Sequence, residues 1–317
     1  KNLTIWYLPM KHLGAHGFMD CKNLDPQLKA LFCFGDQQIF LPHVYRWCRR
    51  RRIPFVAYVG TAHSLDSNFK SKVMNALFAA GTLRIYKKNP VLAKTSAAKE
   101  ELRQLGVPHA VIAPVGLDIA VLKKNIPADE KMRLRKEHGF EADDVILCNV
   151  SRLSWEKRPL ELIDLFLQVK GKKKFKLIIV GNGPLEEELN EKIRKNGLEK
   201  EVKIYPNVPY EKMWEIYEMS DYYLNMNKGE IFGMAIMEAV YYKTSVAAIR
   251  ALGPSVTLKD MKGHKLCEND DEMAEWITGP YPSEKDLQES SEKIAATFTW
   301  DRCADAFLQA SSEKSSR

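Results

Sequence analysis

The most chemically loaded stretch of this 317-residue chain is Glu230-Ile231-Phe232-Gly233-Met234-Ala235-Ile236-Met237-Glu238, in which seven residues separate two carboxylates. A carboxylate accepts several hydrogen bonds, so each glutamate can grip a vicinal diol. Gly233 between them permits close backbone approach. A helix starting there leaves its first amides free for an anion or for sugar oxygens. Two glutamates flanking a helix N-terminus can therefore hold two polyols joined by a phosphate bridge. Taken singly, Glu230 fits equally well as a partner of the helix dipole. Glu238 fits equally well in a buried salt bridge or on a solvated face.

A cationic counterpart stands upstream in Ser151-Arg152-Leu153-Ser154-Trp155-Glu156-Lys157. A planar guanidinium grips phosphate oxygens through paired bonds, and an ammonium adds a compact charge. Arg152 and Lys157 in one loop suit a diphosphate, although an ordinary pair of surface charges reads the same way in isolation. Gly181-Asn182-Gly183-Pro184 invites comparison with a dinucleotide fingerprint. Its sixth position is Glu186 rather than glycine, and beyond Glu201 no acidic residue closes a following strand, so the Rossmann cofactor reading is rejected. Close backbone packing, against a ligand or a neighbouring loop, is the role expected of those glycines.

The elements that must position these residues alternate. Residues 30–34, 42–52 and 55–59 read as strand, helix and strand, with Pro54 as breaker. Residues 74–80 read as helix, 91–95 as strand, 97–105 as helix stopped by Gly106, and 111–114 as a strand before a Gly116-Leu117-Asp118 turn. The polar segment 127–144 reads as a connection. Strands then follow at Val145–Val150, 176–180, Val202–Tyr205, 222–226 and Ser245–Ile249. Helices intervene at Pro159–Val169, 184–196, 210–219 and 232–242, with later ones at 271–277 and 301–310. No internal repeat is present. Such alternation predicts an α/β chain built of parallel sheets with helical crossovers, as two open units with a cleft between them. Ligands of such sheets lie beyond the carboxyl ends of the strands, where the Arg152–Lys157 loop and Glu230 fall.

Composition narrows the class. At about 150 residues per domain the length suggests two domains. Hydrophobic residues make up 45% of the chain, enough for packed cores, and no run approaches the ~18 apolar residues of a membrane helix. The short apolar stretch 3–10 lacks a following cleavage site and is not read as a signal peptide. The six cysteines form no Cys-x-x-Cys pair, so free thiols in a reducing compartment are expected, without a disulfide framework or zinc site. The net charge of +7 includes the run Arg49, Arg50, Arg51 and Arg52 at an apparent helix end, after Tyr45 and Trp47. Solvated cations at a helix C-terminus and contact with an anionic membrane surface are both open readings. No nucleic-acid motif accompanies the charge.

The order strand, Arg/Lys loop, glycine turn, strand, Glu, helix, Glu resembles glycosyltransferase family 4 of the GT-B fold, over roughly residues 30–310 and most specifically over 146–240. The resemblance implies a retaining, nucleotide-sugar-dependent glycosyltransferase with two Rossmann-like domains. It implies that Glu238 holds the ribose hydroxyls, that Glu230 holds the transferred sugar, and that Phe232, Gly233 and Met234 offer backbone amides to sugar and phosphate. Arg152 and Lys157 would bind the diphosphate and stabilise it as leaving group, and Asn207 and Val208 would line the base. Gly60-Thr61-Ala62-His63 resembles the family's strand end, with His63 reaching the donor sugar; a capping or core histidine is the bland alternative. No metal and no cofactor are implied. The partners implied are a nucleotide-diphosphate sugar donor and a glycan or lipid-linked acceptor, with no nucleic acid.

The expected domains are 1–125 on the acceptor side and 126–298 for the nucleotide sugar, with a C-terminal helix in 299–317 packing back on the first. Cell-envelope polysaccharide or glycoconjugate synthesis is the expected setting, in the cytoplasm or peripherally at the inner membrane face. The chain departs from the family pattern at Ser151 and at Arg158-Pro159, where glycines are usual. Tyr242, Lys243 and Ser245 replace small residues and are expected to crowd the exit of the helix carrying Glu238. Without an initiating Met, the first strand and the acceptor-side glycine loop are expected to be missing, with Leu13-Gly14-Ala15-His16-Gly17 as a substitute for that loop. Competing functional classes are a GT-B-shaped epimerase and a non-catalytic binding or partner subunit. A pyridoxal-dependent phosphorylase finds no support.

Overall fold

A computed structural model of the chain describes residues 7–13, 16–36, 38–62, 69–119, 121–122 and 125–312. The chain divides into two compact units, one of residues 1–116 with 300–317 and one of residues 117–299.

The first unit begins with an antiparallel hairpin of β1 (Met10–Leu13) and β2 (His16–Met19); Gly14 and Ala15, in the segment read as a substitute glycine loop, lie outside the described residues. Then come β3 (Leu31–Phe34), α1 (Leu41–Arg51), β4 (Phe55–Val59), α2 (Phe69–Ala80), α3 (Thr82–Tyr86), β5 (Val91–Ala93), α4 (Ser96–Gln104) and β6 (Val111–Ile112). β3 to β6 form a parallel sheet in sequence order. All five residues of β4 are buried, the continuous apolar run of a strand covered on both faces. Pro42 sits in the first turn of α1, where its missing N–H costs nothing. Thr95 caps α4 by accepting a 3.0 Å hydrogen bond from the Ala98 amide.

The second unit contains α5 (Glu130–Glu137), β7 (Val145–Val150), α6 (Pro159–Val169), β8 (Phe175–Val180), α7 (Glu186–Lys195), β9 (Val202–Tyr205), α8 (Met213–Met219) and β10 (Tyr222–Asn225). It continues through α9 (Met234–Tyr241), β11 (Ser245–Ile249), α10 (Leu252–Thr257), β12 (Lys265–Cys267), α11 (Asp270–Thr278) and α12 (Glu284–Thr297). The chain then rejoins the first unit as α13 (Trp300–Ser312), whose Cys303 and Ala310 pack with Val56 and Tyr58 of β4 and Leu92 of β5. The sheet is parallel throughout, in the order β12-β11-β10-β7-β8-β9. Successive crossovers run outward from β7 on one side and from β10 on the other. The gap between those two strands is the topological switch point, where open α/β sheets bind ligands.

Residues 127–144, read above as a connection, hold α5, which belongs to the second unit. Asp221 at the start of β10 fixes it. The carboxylate accepts from Lys131 at 2.9 Å, from Arg135 at 2.6 Å and from the Ile146 amide at 2.8 Å. Arg135 is buried and also donates to the Met219 and Asp144 carbonyls, the full pairing that a buried cation requires. The chain changes unit at 116/117 and 299/300, against the 125/126 and 298/299 expected. The Leu117 amide donates to the Phe298 carbonyl at 2.9 Å, so the two passages lie side by side on the second unit.

The exit of α9 is not crowded. The Tyr242, Lys243 and Thr244 amides donate to the Glu238, Val240 and Ala239 carbonyls, an ordinary helix closure. Tyr242 is buried and stacks on Tyr217, centroids 5.9 Å apart. Lys243 takes the left-handed position, φ 59°, that glycine usually fills.

Candidate active site

β7 and β10 deliver the two chemistry-bearing loops to either side of the switch point. After β7, Trp155–Lys157 form one 3₁₀ turn. Arg158 then adopts φ 55°, and Pro159 opens α6. The left-handed backbone at Arg158 is held by its own side chain, which donates to both carboxylate oxygens of Asp270, at 3.1 and 2.8 Å, and to the Met226 carbonyl at 3.2 Å. A glycine at this position would relax the backbone and forfeit the clamp.

That turn presents Lys157. Its Nζ donates to Glu230 Oε2 at 2.8 Å, and Asn227 Nδ2 donates to the same oxygen at 3.1 Å. Asn227 is itself fixed, its amide bonded to Asn225 Oδ1 and its Oδ1 accepting from the Gly229 amide. Burial opposes the charge on Glu230, but Lys157, Asn227 and Asn225 together outweigh it and hold the carboxyl below its ordinary range. Glu230 therefore stays ionised at neutral pH.

The Glu230 loop is braced from behind by a residue sequence reasoning missed. The Gly253 amide donates to the Glu230 carbonyl at 2.7 Å, and a Cβ on Gly253 would stand 2.5 Å from the Phe232 nitrogen. Gly253 reads as an ordinary helix-start glycine until α10 is seen against this loop. Phe232 is buried edge-on against Phe298, Gly233 caps α9 at φ 86°, and Met234 is its first residue. The amides of Phe232, Gly233 and Met234 have no partner among the described residues, as the start of a helix dictates.

Glu238 lies inside α9 and is 9% exposed. Its partners among the described residues are tyrosine hydroxyls rather than a cation. Tyr217 donates to Oε2 at 2.7 Å, and the nearby Tyr210 hydroxyl also favours the charged form. Burial raises the Glu238 carboxyl above its usual value, opposed by those two hydroxyls. Burial and the nearby Glu238 charge push the Tyr217 phenol well up, so it remains a donor.

Arg152, Asn207 and Val208 come together in a concavity of about 320 Å³ at the carboxyl ends of β7, β8 and β9. The main-chain groups of Asn207 and Val208 enter no hydrogen bond among the described residues. The glycines of Gly181-Asn182-Gly183 shape this wall. A Cβ at either would run into the Ser151 or Leu153 carbonyl. The Leu153 amide donates to the Asn182 carbonyl at 2.9 Å, and the Leu185 amide to the Leu153 carbonyl at 3.0 Å. The glycine turn thus sets the height of the Arg152–Lys157 loop.

His63 lies outside the described residues, just beyond Ala62, whose amide donates to Glu101 at 2.8 Å. The carboxyl edge of the first sheet carries a second missed group. Asp36 accepts from the Gly60 amide and, at 2.7 Å, from Lys94 Nζ. Lys94 lies over Phe34 and Tyr58, 5.6 and 5.4 Å from their centroids, and Phe34 is 58% exposed. Asp36 and Lys94 follow different strands and share no spacing motif; only their place just past β3 and β5 could have flagged them.

A profile of the family described as glycosyl transferases group 1 matches residues 130–293, just over half of the chain. The chain is 26% identical over 297 residues to the D-inositol 3-phosphate glycosyltransferase of Mycobacterium avium, covering 83% of this chain and 65% of that protein. It is 24% identical over 139 residues to the alpha-monoglucosyldiacylglycerol synthase of Streptococcus pneumoniae, covering 43% of this chain and 32% of that one. The chain thus spans somewhat less than two thirds of the length of the mycobacterial relative. Among solved structures, Anabaena HepE in complex with UDP and glucose superposes with a TM-score of 0.67 at 20% identity, over 86% of this chain and 74% of that one. That likeness shows an α/β architecture of the GT-B kind. With the profile covering the sheet, the switch point and both glutamates, the chain belongs to the glycosyl transferases group 1 family.

Proposed function

We propose that this chain is a retaining glycosyltransferase of the family 4 type, moving a sugar from a nucleoside diphosphate to a hydroxyl of a glycan or lipid-linked acceptor. The observation that carries this reading is the Lys157–Glu230 pair at 2.8 Å, set beside the free amides of Phe232, Gly233 and Met234 at the switch point. The cation and the amides suit the diphosphate, and the carboxylate suits the hydroxyls of the sugar attached to it. Glu238 takes the ribose diol, and the Arg152, Asn207 and Val208 concavity takes the base and the proximal phosphate. HepE was solved with UDP and glucose, which supports a uridine donor.

In this mechanism the anomeric carbon–oxygen bond to the diphosphate breaks as the acceptor oxygen attacks from the same face. The acceptor proton passes to the departing phosphate oxygen. Lys157, Arg152 and the helix amides stabilise the charge that accumulates there. Glu230 orients the sugar and forms no covalent bond. His63 contacts the donor sugar, and no metal or cofactor takes part. On this reading Asp36 and Lys94, paired at the carboxyl edge of the first sheet, serve the acceptor. The names of the inositol phosphate and diacylglycerol relatives support a phosphate-bearing or lipid acceptor, as in cell-envelope glycoconjugate synthesis. No helix among the described residues is long and apolar enough to cross a membrane. Contact with an anionic surface at the cytoplasmic face falls instead to the basic end of α1, at Arg49, Arg50, Arg51 and Arg52.

The deciding experiment incubates the protein with UDP-glucose, UDP-galactose, UDP-N-acetylglucosamine and GDP-mannose, each with lipid and glycan acceptors and with EDTA present. An α-linked product from an α-linked donor is expected with one of them, and Glu230→Gln should abolish it while UDP binding survives. An inverted product would refute retention. Isomerisation of the donor without acceptor would mark an epimerase, and nucleotide binding with no turnover a non-catalytic subunit.

A further inference from the structure

A large concavity within the first unit lies at the opposite edge of its sheet from Asp36 and Lys94. It has a volume of about 1340 Å³ and opens at the amino ends of β4, β5 and β6. The C-termini of α1 and α3 point to this edge. Arg49 and Arg52 from the end of α1 line it together with Lys87 and Lys88 from the end of α3, over a floor that includes Ile53 and Leu92. Helix dipoles account for cations at each of these ends separately. They do not account for four exposed cations gathered around one hollow in which no Asp or Glu takes part.

Other lysines and arginines also lack an ion pair among the described residues, but these four share one hollow. Lys94, Lys131, Lys157 and Arg158 are each neutralised by a carboxylate. Arg49, Arg52, Lys87 and Lys88 form no ion pair among the described residues. The neighbouring Arg51 is turned aside and lies over the Trp47 ring, 4.6 Å from its centroid. The arginine run is therefore not a uniform charged strip: two of its members face a hollow that a second segment, far away in sequence, also lines with cations. Like charges held together in this way await an anion, and guanidinium and ammonium groups together match the oxygens of a phosphate.

We propose that this concavity binds a phosphate-bearing anion, supplied either by the headgroup of an acidic phospholipid or by a soluble phosphate compound. It sharpens the membrane contact proposed above. It lies in a different unit from Arg152, Lys157, Glu230 and Glu238, so it can stand or fall without the transferase reading.

The test uses the whole chain, with vesicles of phosphatidylcholine alone and of phosphatidylcholine with phosphatidylglycerol, and with inorganic pyrophosphate titrated separately by calorimetry. Lys87→Glu with Lys88→Glu is compared with wild type, because these lysines lie outside the arginine run. A second variant, Arg52→Gly with Lys88→Gln, removes charge while relaxing the left-handed backbone at Arg52, φ 59°, and so protects the fold. Binding to acidic vesicles or to pyrophosphate should fall at least tenfold in both variants, with the thermal shift produced by UDP unchanged. Loss confined to vesicles identifies the lipid source, and loss confined to pyrophosphate the soluble one. Wild type that binds neither probe, or variants that bind both as wild type does, would overturn the proposal.

Discussion

Tyr217 and Glu238 meet inside the second unit with Oη 2.7 Å from Oε2, both side chains buried. A phenol held protonated by its surroundings donates to a carboxylate that its surroundings would rather protonate. The sign of the resulting pH dependence follows. Because the Glu238 carboxyl is raised on folding, its contribution to stability is full below the ordinary glutamate value and is lost as pH rises through the folded value. In the role proposed for Glu238, holding the ribose hydroxyls requires the charged form and runs the other way. UDP affinity should therefore weaken on acidification at a pH above the ordinary glutamate range. Tyr217→Phe removes the donor, moves that limb to still higher pH, and costs about 1–3 kcal/mol of stability through the unsatisfied carboxylate. Titrating the Kd for UDP against pH in both proteins checks this; superimposable curves would show that Tyr217 does not govern Glu238.

The Lys157–Glu230 pair is the reverse case. The Glu230 carboxyl is lowered on folding, so its contribution is present above the ordinary glutamate value and is lost as pH falls through the folded one. A double-mutant cycle of Lys157→Ala and Glu230→Gln should give a coupling of about 1–3 kcal/mol at pH 7 that shrinks in acid. Lys157→Ala should also lower kcat by roughly 10²-fold or more, the size expected when one stabilising group is taken from a leaving group. A change in KM alone would assign Lys157 to binding only.

Much of the second unit was legible in the sequence, because β7, β8 and β10 are mostly apolar runs with one polar residue each and the crossover helices are amphipathic. The residues proposed for the donor could be picked out because they occupy two loops and one helix of fixed spacing. What stayed hidden rests on contacts distant in sequence. Gly253 matters only because α10 lies against the Glu230 loop, and Asp36 only because Lys94 follows another strand. α5 was read as linker because its helix is polar, with only Leu134 and Arg135 buried. Its docking depends on Asp221, far along the chain. The exit of α9 looked crowded because the slot beside Tyr217 that receives Tyr242 has no local signature.

Two residues in the left-handed region should answer oppositely to glycine. Lys243, φ 59°, closes α9, and its side chain makes no ion pair among the described residues. Lys243→Gly should raise stability by about 1 kcal/mol by removing the Cβ penalty. Arg158, φ 55°, carries the same strain, but its guanidinium holds Asp270 and the Met226 carbonyl. Arg158→Gly should destabilise and should also displace Lys157, weakening UDP binding. Urea unfolding of both variants decides the matter, and equal gains in both would refute the clamp.

His264 gives the second unit an acid limit independent of the donor site. Its Nδ1 accepts from the Val246 amide at 3.0 Å, its Nε2 is buried without a partner among the described residues, and burial pushes its pKa down to about 4. The unfolded chain binds a proton near pH 6.5 while the folded one does not, so stability is lost as pH falls through this window. A shift from 6.5 to about 4 corresponds to about 3 kcal/mol between those limits. His264→Asn keeps an acceptor for the Val246 amide and removes the titration. Its urea midpoint should be nearly flat between pH 6.5 and 4.5, where that of wild type falls steadily. An equally steep fall in the variant would place the acid sensitivity elsewhere.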